Sequence, residues 1–185
     1  MRNLRLFGTP VFAAVWILAI ASIAFAGDDR GGNRFRASLT GFQEVPAIST
    51  TGSGTFTLEI QANQINYTLN YRDMEGGAVT ASHIHLGQRS VNGGVIAHLC
   101  GGTKPACTTP SGSFEGVITP ADIIGPAVQG IEGPASFGEV VRAIRAGVVY
   151  ANVHSTRWGG GEIRGQVING RGNRGDDDDD EDDED

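Results

Sequence analysis

The chain has 185 residues and a net charge of −7, but ten consecutive acidic residues at 176–185 cause that imbalance. Without these ten, 11 of the 21 acidic residues remain, against 12 of the 14 basic residues once Arg2 and Arg5 of the N-terminal segment are removed. A body that is nearly neutral lacks the basic surface of nucleic-acid-binding domains, so we expect no nucleic acid partner.

The first 26 residues have the three parts of a secretory signal peptide. Arg2 and Arg5 precede an apolar run at 11–23, and a small-x-small tripeptide follows at 24–26. This run is shorter than the roughly 20 residues that span a bilayer. We predict cleavage after Ala26, a mature chain without a membrane span, and a secreted or periplasmic location. An uncleaved membrane anchor is the alternative.

One domain follows a polar, glycine-rich linker at 27–33 and occupies residues 34–169. Apolar and polar side chains alternate along most of it, which is typical of β-strands. A single helix is predicted at 137–146, with Gly147 at its C-terminal cap. The sequence therefore predicts an all-β fold, an antiparallel Greek-key-like β-sandwich with one short helix. The predicted strands are 35–39, 54–61, 64–72, 79–86, 94–99, 112–118, 147–154 and 162–168.

The last segment, 170–185, joins a Gly/Arg linker to the acidic tail. A run of acids has no apolar surface to bury, so we expect disorder there. The tail is suited to diffuse binding of calcium or other cations, or of a basic partner. A purely solubilising role is the alternative.

Cys100 and Cys107 are the two cysteines of the chain and enclose a loop rich in glycine and proline. Because an exported chain meets an oxidising compartment, we predict a disulfide between them. Two free thiols remain an alternative. A metal–thiolate pair is less consistent with the spacing, which is not that of a zinc knuckle.

Three of the four histidines lie in predicted strands that suit a metal site. His83 and His85 are two apart and therefore share a strand face, with Cβ atoms about 7 Å apart. His154 ends a later strand, on the face opposite Val149 and Val153. Three neutral imidazoles favour copper or zinc over calcium. The alternative is that these are surface or hydrogen-bonded structural histidines, since spacing alone does not bring His154 to His83.

A last polar face is predicted in the strand at 162–168. Glu162 and Arg164 lie on it and are suited to pair with each other. Glu162 is also suited to accept a hydrogen bond from a metal-bound histidine. We therefore predict both residues as outer partners of the metal ligands. A hydrogen-bonded structural corner is the alternative.

Four segments stand in order along the chain: 39–46 (LTGFQEVP), 81–85 (ASHIH), 153–155 (VHS) and 160–166 (GGEIRGQ). In this order they resemble the CHRD domain, first described in chordin. The resemblance covers about 35–168 and implies an antiparallel β-sandwich in an extracellular setting, but no settled activity.

A weaker likeness is to Cu/Zn superoxide dismutase. It implies that His83, His85 and His154 are copper ligands and that Arg164 guides an anion. The chain lacks the further histidines and the aspartate of that enzyme's zinc loop, and fold likeness does not transfer function.

Three interpretations of function remain open. The first is a secreted binding or scaffold module whose partner is an extracellular protein. The second is the same module with copper or zinc bound, and the third is a redox enzyme similar to superoxide dismutase. The sequence shows no nucleophile elbow, phosphate loop or dinucleotide motif, so it favours a module without catalytic residues and leaves enzyme activity undecided.

Overall fold

The structure is a computed structural model that describes residues 32–170. The predicted signal peptide and the acidic tail lie outside these residues. Within 32–170, no helix is long and apolar enough to cross a membrane.

Nine strands, one α-helix and four short 3-10 helices make up the regular structure of the described residues, and the eight predicted strands and the predicted helix are all present. The last predicted strand is divided in two. The strands and the α-helix are β1 (Arg34–Thr40), β2 (Ser53–Ile60), β3 (Ile65–Arg72), β4 (Val79–Leu86), β5 (Gly94–Cys100), β6 (Gly112–Ile118), α1 (Phe137–Arg145), β7 (Val149–Ser155), β8 (Ile163–Gln166) and β9 (Ile168–Asn169).

The strands form one antiparallel sheet in the order β5-β4-β7-β8-β1-β2-β3-β6, with β9 paired to β1. Neighbours in this order are often distant in sequence, as β4 and β7 are, which requires the crossovers of a Greek key. The sheet curls so that it nearly closes. The hydroxyl of Tyr67 in β3 donates to the carbonyl of Leu99 in β5 at 2.8 Å and joins the two halves. The predicted antiparallel β-sandwich with one short helix is confirmed.

The core lies between the two halves of the sheet and is filled by alternate strand residues. Phe56, Leu69 and Ile84 are fully buried there. Each such side chain contributes about 1.5–3 kcal/mol on burial. Helix α1 adds Val140 and Ile144 to the same core, as the spacing of its apolar residues predicts.

Helix α1 ends as the sequence predicts. Gly147 has a φ of +69° and donates its N–H to the carbonyl of Ile144 at 3.0 Å. This left-handed conformation favours glycine, and it turns the chain directly into β7.

The predicted disulfide between Cys100 and Cys107 is present, with an S–S distance of 2.03 Å. It closes the loop after β5, so the alternative of two free thiols does not apply.

The outer face of β4, β7 and β8 is not open to solvent, although strand alternation alone assigns it there. All seven residues of β7 are buried. The segments at 87–93 and 156–162 lie over this face, as the hydrogen bonds of the site below show. The side chain of Asn92 donates to the carbonyl of Val45 at 2.9 Å and so brings the segment after β1 to the same place. The polar side chains of three strands are therefore enclosed in one place.

Candidate metal centre

Strand pairing brings the three predicted histidines together. Across β4 and β7, Ala81 is paired with His154 and His83 with Asn152, so His83 and His154 are diagonal neighbours on one face. Nδ1 of His83 lies 3.0 Å from Nε2 of His154. With His85, each of the three rings offers one nitrogen, and these atoms all lie within 4.8 Å of one another.

Backbone carbonyls fix the orientation of two of these rings. Nδ1 of His85 lies 3.0 Å from the carbonyl oxygen of Gly93, and Nδ1 of His154 lies 2.9 Å from that of Gly159. Because a carbonyl only accepts, each Nδ1 carries the proton and each Nε2 carries the lone pair. Metal-binding histidines almost always have this arrangement, with the second ring nitrogen bonded to a carbonyl or a carboxylate.

The third ring, His83, would have to change its tautomer to hold an ion. Its Nδ1–H donates to the lone pair of His154 Nε2, which leaves its own lone pair on Nε2. To hold an ion through Nδ1, the ring would move its proton to Nε2. Three nitrogens bound tetrahedrally to one zinc ion lie about 3.3 Å apart. The separations of up to 4.8 Å between the three ring nitrogens would therefore shorten by about 1.5 Å at most.

All three imidazoles are held in their neutral form by their surroundings. Burial, together with the neighbouring His154, lowers the pKa of His83 to about 3. Burial lowers the pKa of His85 to about 4, and it also lowers the pKa of His154, although the carbonyl of Gly159 partly opposes that shift. Neutral imidazole is the form that binds copper or zinc, so the cluster is ready for a metal at neutral pH.

A family comparison matches residues 35–167 to the CHRD domain. The chain belongs to the CHRD-domain family. This confirms the resemblance seen in the four sequence segments. No curated protein and no solved structure matches the chain in the corresponding comparisons.

The fourth histidine of this CHRD domain, His98, lies beside the cluster but is not part of it. It is paired with His83 across β4 and β5, and the two ring centres are 4.6 Å apart. Its Nδ1 is buried without a hydrogen-bond partner. His98 was not among the predicted ligands, and its contact with His83 follows from strand pairing that spacing alone does not reveal.

Arg164 supports the site from the next strand. Its guanidinium lies 3.4 Å from the centre of the Tyr150 ring, and that ring stacks on His85 at 4.7 Å. The same guanidinium donates to the side chain of Asn92 and to the carbonyls of Gln88 and Val91. Arg164 is 2% exposed, so it fixes the 88–92 segment, and its burial argues against the anion-guiding role implied by superoxide dismutase.

Glu162 lies in the same region but binds other groups. Its buried carboxylate accepts hydrogen bonds from the hydroxyl of Thr50 at 2.9 Å and from the backbone N–H of Glu75 at 2.7 Å and Gly76 at 3.1 Å. Within residues 32–170 it forms no hydrogen bond with a histidine and no ion pair with Arg164. Its contacts tie two loops to the start of β8.

Two further residues of the site come only from the structure. Glu44 follows β1 in a short loop and is 7% exposed, and Asn152 lies next to His83 in the β4–β7 pair. Burial raises the pKa of Glu44 to about 7 against the opposing charge of Arg164. Strand alternation places Asn152 on the face of His154, but no metal-ligand spacing marks it, and neither pattern marks Glu44.

Proposed function

We propose that this CHRD domain is an extracellular binding module that holds one copper or zinc ion through His83, His85 and His154. The observation that carries the proposal is the convergence of three ring nitrogens, two of them oriented by backbone carbonyls. In metal-binding histidines the second ring nitrogen is almost always held in this way, which leaves the other nitrogen for the ion.

The chemistry of the ligands selects the class of metal. Three imidazole nitrogens match copper and zinc, while calcium and magnesium require oxygen ligands. The neutral state of the rings supports the same choice, because no proton has to leave an imidazolium when the ion binds.

The extracellular part of the proposal has support of a different kind. The CHRD family fits a secreted binding or scaffold module. The disulfide between Cys100 and Cys107 is compatible with an oxidising compartment. A protein partner outside the cell remains part of the proposal, alongside the metal.

Calorimetric titration of the metal-free full chain with Cu(II) and Zn(II) tests the proposal. We expect the parent to bind one equivalent of metal ion tightly. His83→Ala and His154→Ala should each weaken binding by at least about 100-fold, since losing even an outer partner of a ligand costs 10–100-fold.

Two control variants isolate the site. His98→Ala removes a neighbouring histidine that is not a ligand, and this variant should still bind one metal ion tightly. Deletion of 176–185 removes the acidic tail, which is the other place where cations are expected to bind, and should also keep this tight binding. Unchanged uptake in both His83→Ala and His154→Ala would contradict the proposal.

A further inference from the structure

Apart from Nδ1 of His98 on the β5 side, three buried polar atoms around the histidine cluster have no hydrogen-bond partner within residues 32–170. They are Nε2 of His85, Oδ1 of Asn152 and Oε1 of Glu44. Buried polar groups are normally satisfied, so each unsatisfied one points to a missing water or ion. Each of these atoms presents a lone pair when Glu44 is ionised, so what is missing is a donor or a cation.

Asn152 connects the other two residues. Its side chain lies close enough to Glu44 and to His85 to shift the pKa of each. It is also two residues before His154 on the same face of β7 and is paired with His83. The unsatisfied atoms of Asn152 and Glu44 therefore border the cluster on the side of β7 and β8.

Gly161 leaves room for this carboxyl group. Its φ of +134° favours glycine, and a Cβ there would collide with the carboxyl of Glu44 and approach the amide of Asn152. Arg164 attracts Glu44, but among residues 32–170 no ion pair joins them, and its guanidinium donates to the 88–92 segment. Within residues 32–170, Oε1 of Glu44 is thus buried without a hydrogen-bond donor, although the backbone N–H of Val45 and the side chain of Asn152 lie close to this carboxyl group.

Resting on the proposed metal site, we infer that the bound ion keeps one exchangeable water ligand, and that Asn152 and Glu44 hold this water. The ion takes the lone pair of His85 Nε2 together with the other two imidazoles. A water bound to that ion has two protons to donate, and two acceptors remain, Asn152 Oδ1 and Glu44 Oε1. One ion and one water then satisfy all three orphaned atoms. The site is of the open kind, in which a small anion such as azide replaces the water.

Water-proton relaxation of the Cu(II)-loaded full chain tests this inference directly. A water that binds copper and exchanges with solvent accelerates the relaxation of bulk water. We expect this enhancement in the parent loaded with one equivalent, and we expect excess azide to abolish it.

Variants at Glu44 assign the water to this carboxyl. Glu44→Gln retains an acceptor oxygen and should keep the enhancement. Glu44→Leu removes both oxygens with little change in volume and should lose most of it while still binding one copper. Glu115→Leu, at an exposed position in β6, is the matched control and should behave as the parent.

The stoichiometry of copper separates the failure of this inference from failure of the metal site. One equivalent bound with no enhancement in the parent would overturn the water ligand and leave the metal site standing. Equal enhancement in the parent and Glu44→Leu would overturn the role of Glu44. If no copper binds, both the metal site and the water ligand are wrong.

Discussion

Nδ1 of His83 lies 3.0 Å from Nε2 of His154, although the two residues are 71 positions apart in the chain. The carbonyl of Gly159 holds the other nitrogen of His154, so a lone pair faces His83. The N–H of His83 occupies the direction that an ion would take toward Nε2 of His154. This contact links the fold to the proposed function, because it exists only if β4 and β7 pair in the observed register.

The buried histidines make the stability of the metal-free protein depend on pH. The pKa of His83 is about 3 and that of His85 about 4, both below the unfolded value of 6.5. At a pH between the folded and the unfolded pKa of each histidine, the unfolded chain binds a proton on that imidazole and the folded chain does not. The stability from this source is therefore fully present above pH 6.5 and is lost as the pH falls toward 3. Each such proton changes the free energy of unfolding by about 1.4 kcal/mol per pH unit.

Urea unfolding of the metal-free chain at several pH values between 4 and 7 measures this slope. Glu44 acts in the opposite sense between pH 4.5 and 7, since its folded pKa is raised, so the comparison is made with His83→Gln. That variant should show a shallower loss of stability at low pH. An identical slope in the parent and in His83→Gln would contradict the prediction.

Arg164 should contribute strongly to stability, because its guanidinium supplies donors to three acceptors in the 88–92 segment. Arg164→Met leaves these acceptors without their donor, and we expect a loss of about 2–4 kcal/mol. Urea unfolding measures it. Arg36→Met, at an exposed position in β1, is the control and should change stability by less than about 0.5 kcal/mol. A similarly small effect at Arg164 would show that the segment does not depend on it.

The disulfide should stabilise the fold. By loop entropy alone, closing the short loop between Cys100 and Cys107 contributes roughly 2–3 kcal/mol. Unfolding with and without reductant measures that contribution, and the double variant Cys100→Ser/Cys107→Ser should not respond to reductant. If reductant does not change the stability of the parent, the disulfide does not stabilise the fold, and the prediction is wrong.

Export should remove the first 26 residues and leave Gly27 as the new N-terminus. The basis is the small-x-small site that follows the apolar run. N-terminal sequencing of the exported protein checks it. Recovery of the chain with Met1 still attached, in a membrane fraction, would refute the secretory prediction.

Much of the fold follows from alternation along the strands, but the site follows only in part. The face shared by His83 and His85 is predictable because side chains two apart point the same way. Their approach to His154 is not, since a shift of one residue in the register would turn His154 to the other face. Glu44 lies in a loop, where no periodicity indicates burial, so its place beside the site comes only from tertiary packing.

Electron paramagnetic resonance of the protein with one equivalent of Cu(II) tests the central claim most directly. If His83, His85 and His154 bind the ion, the spectrum should show coupling to three imidazole nitrogens, reduced to two in His154→Ala. The His98→Ala control should keep all three. A spectrum dominated by oxygen ligands, or one that His154→Ala leaves unchanged, would contradict the three-histidine site.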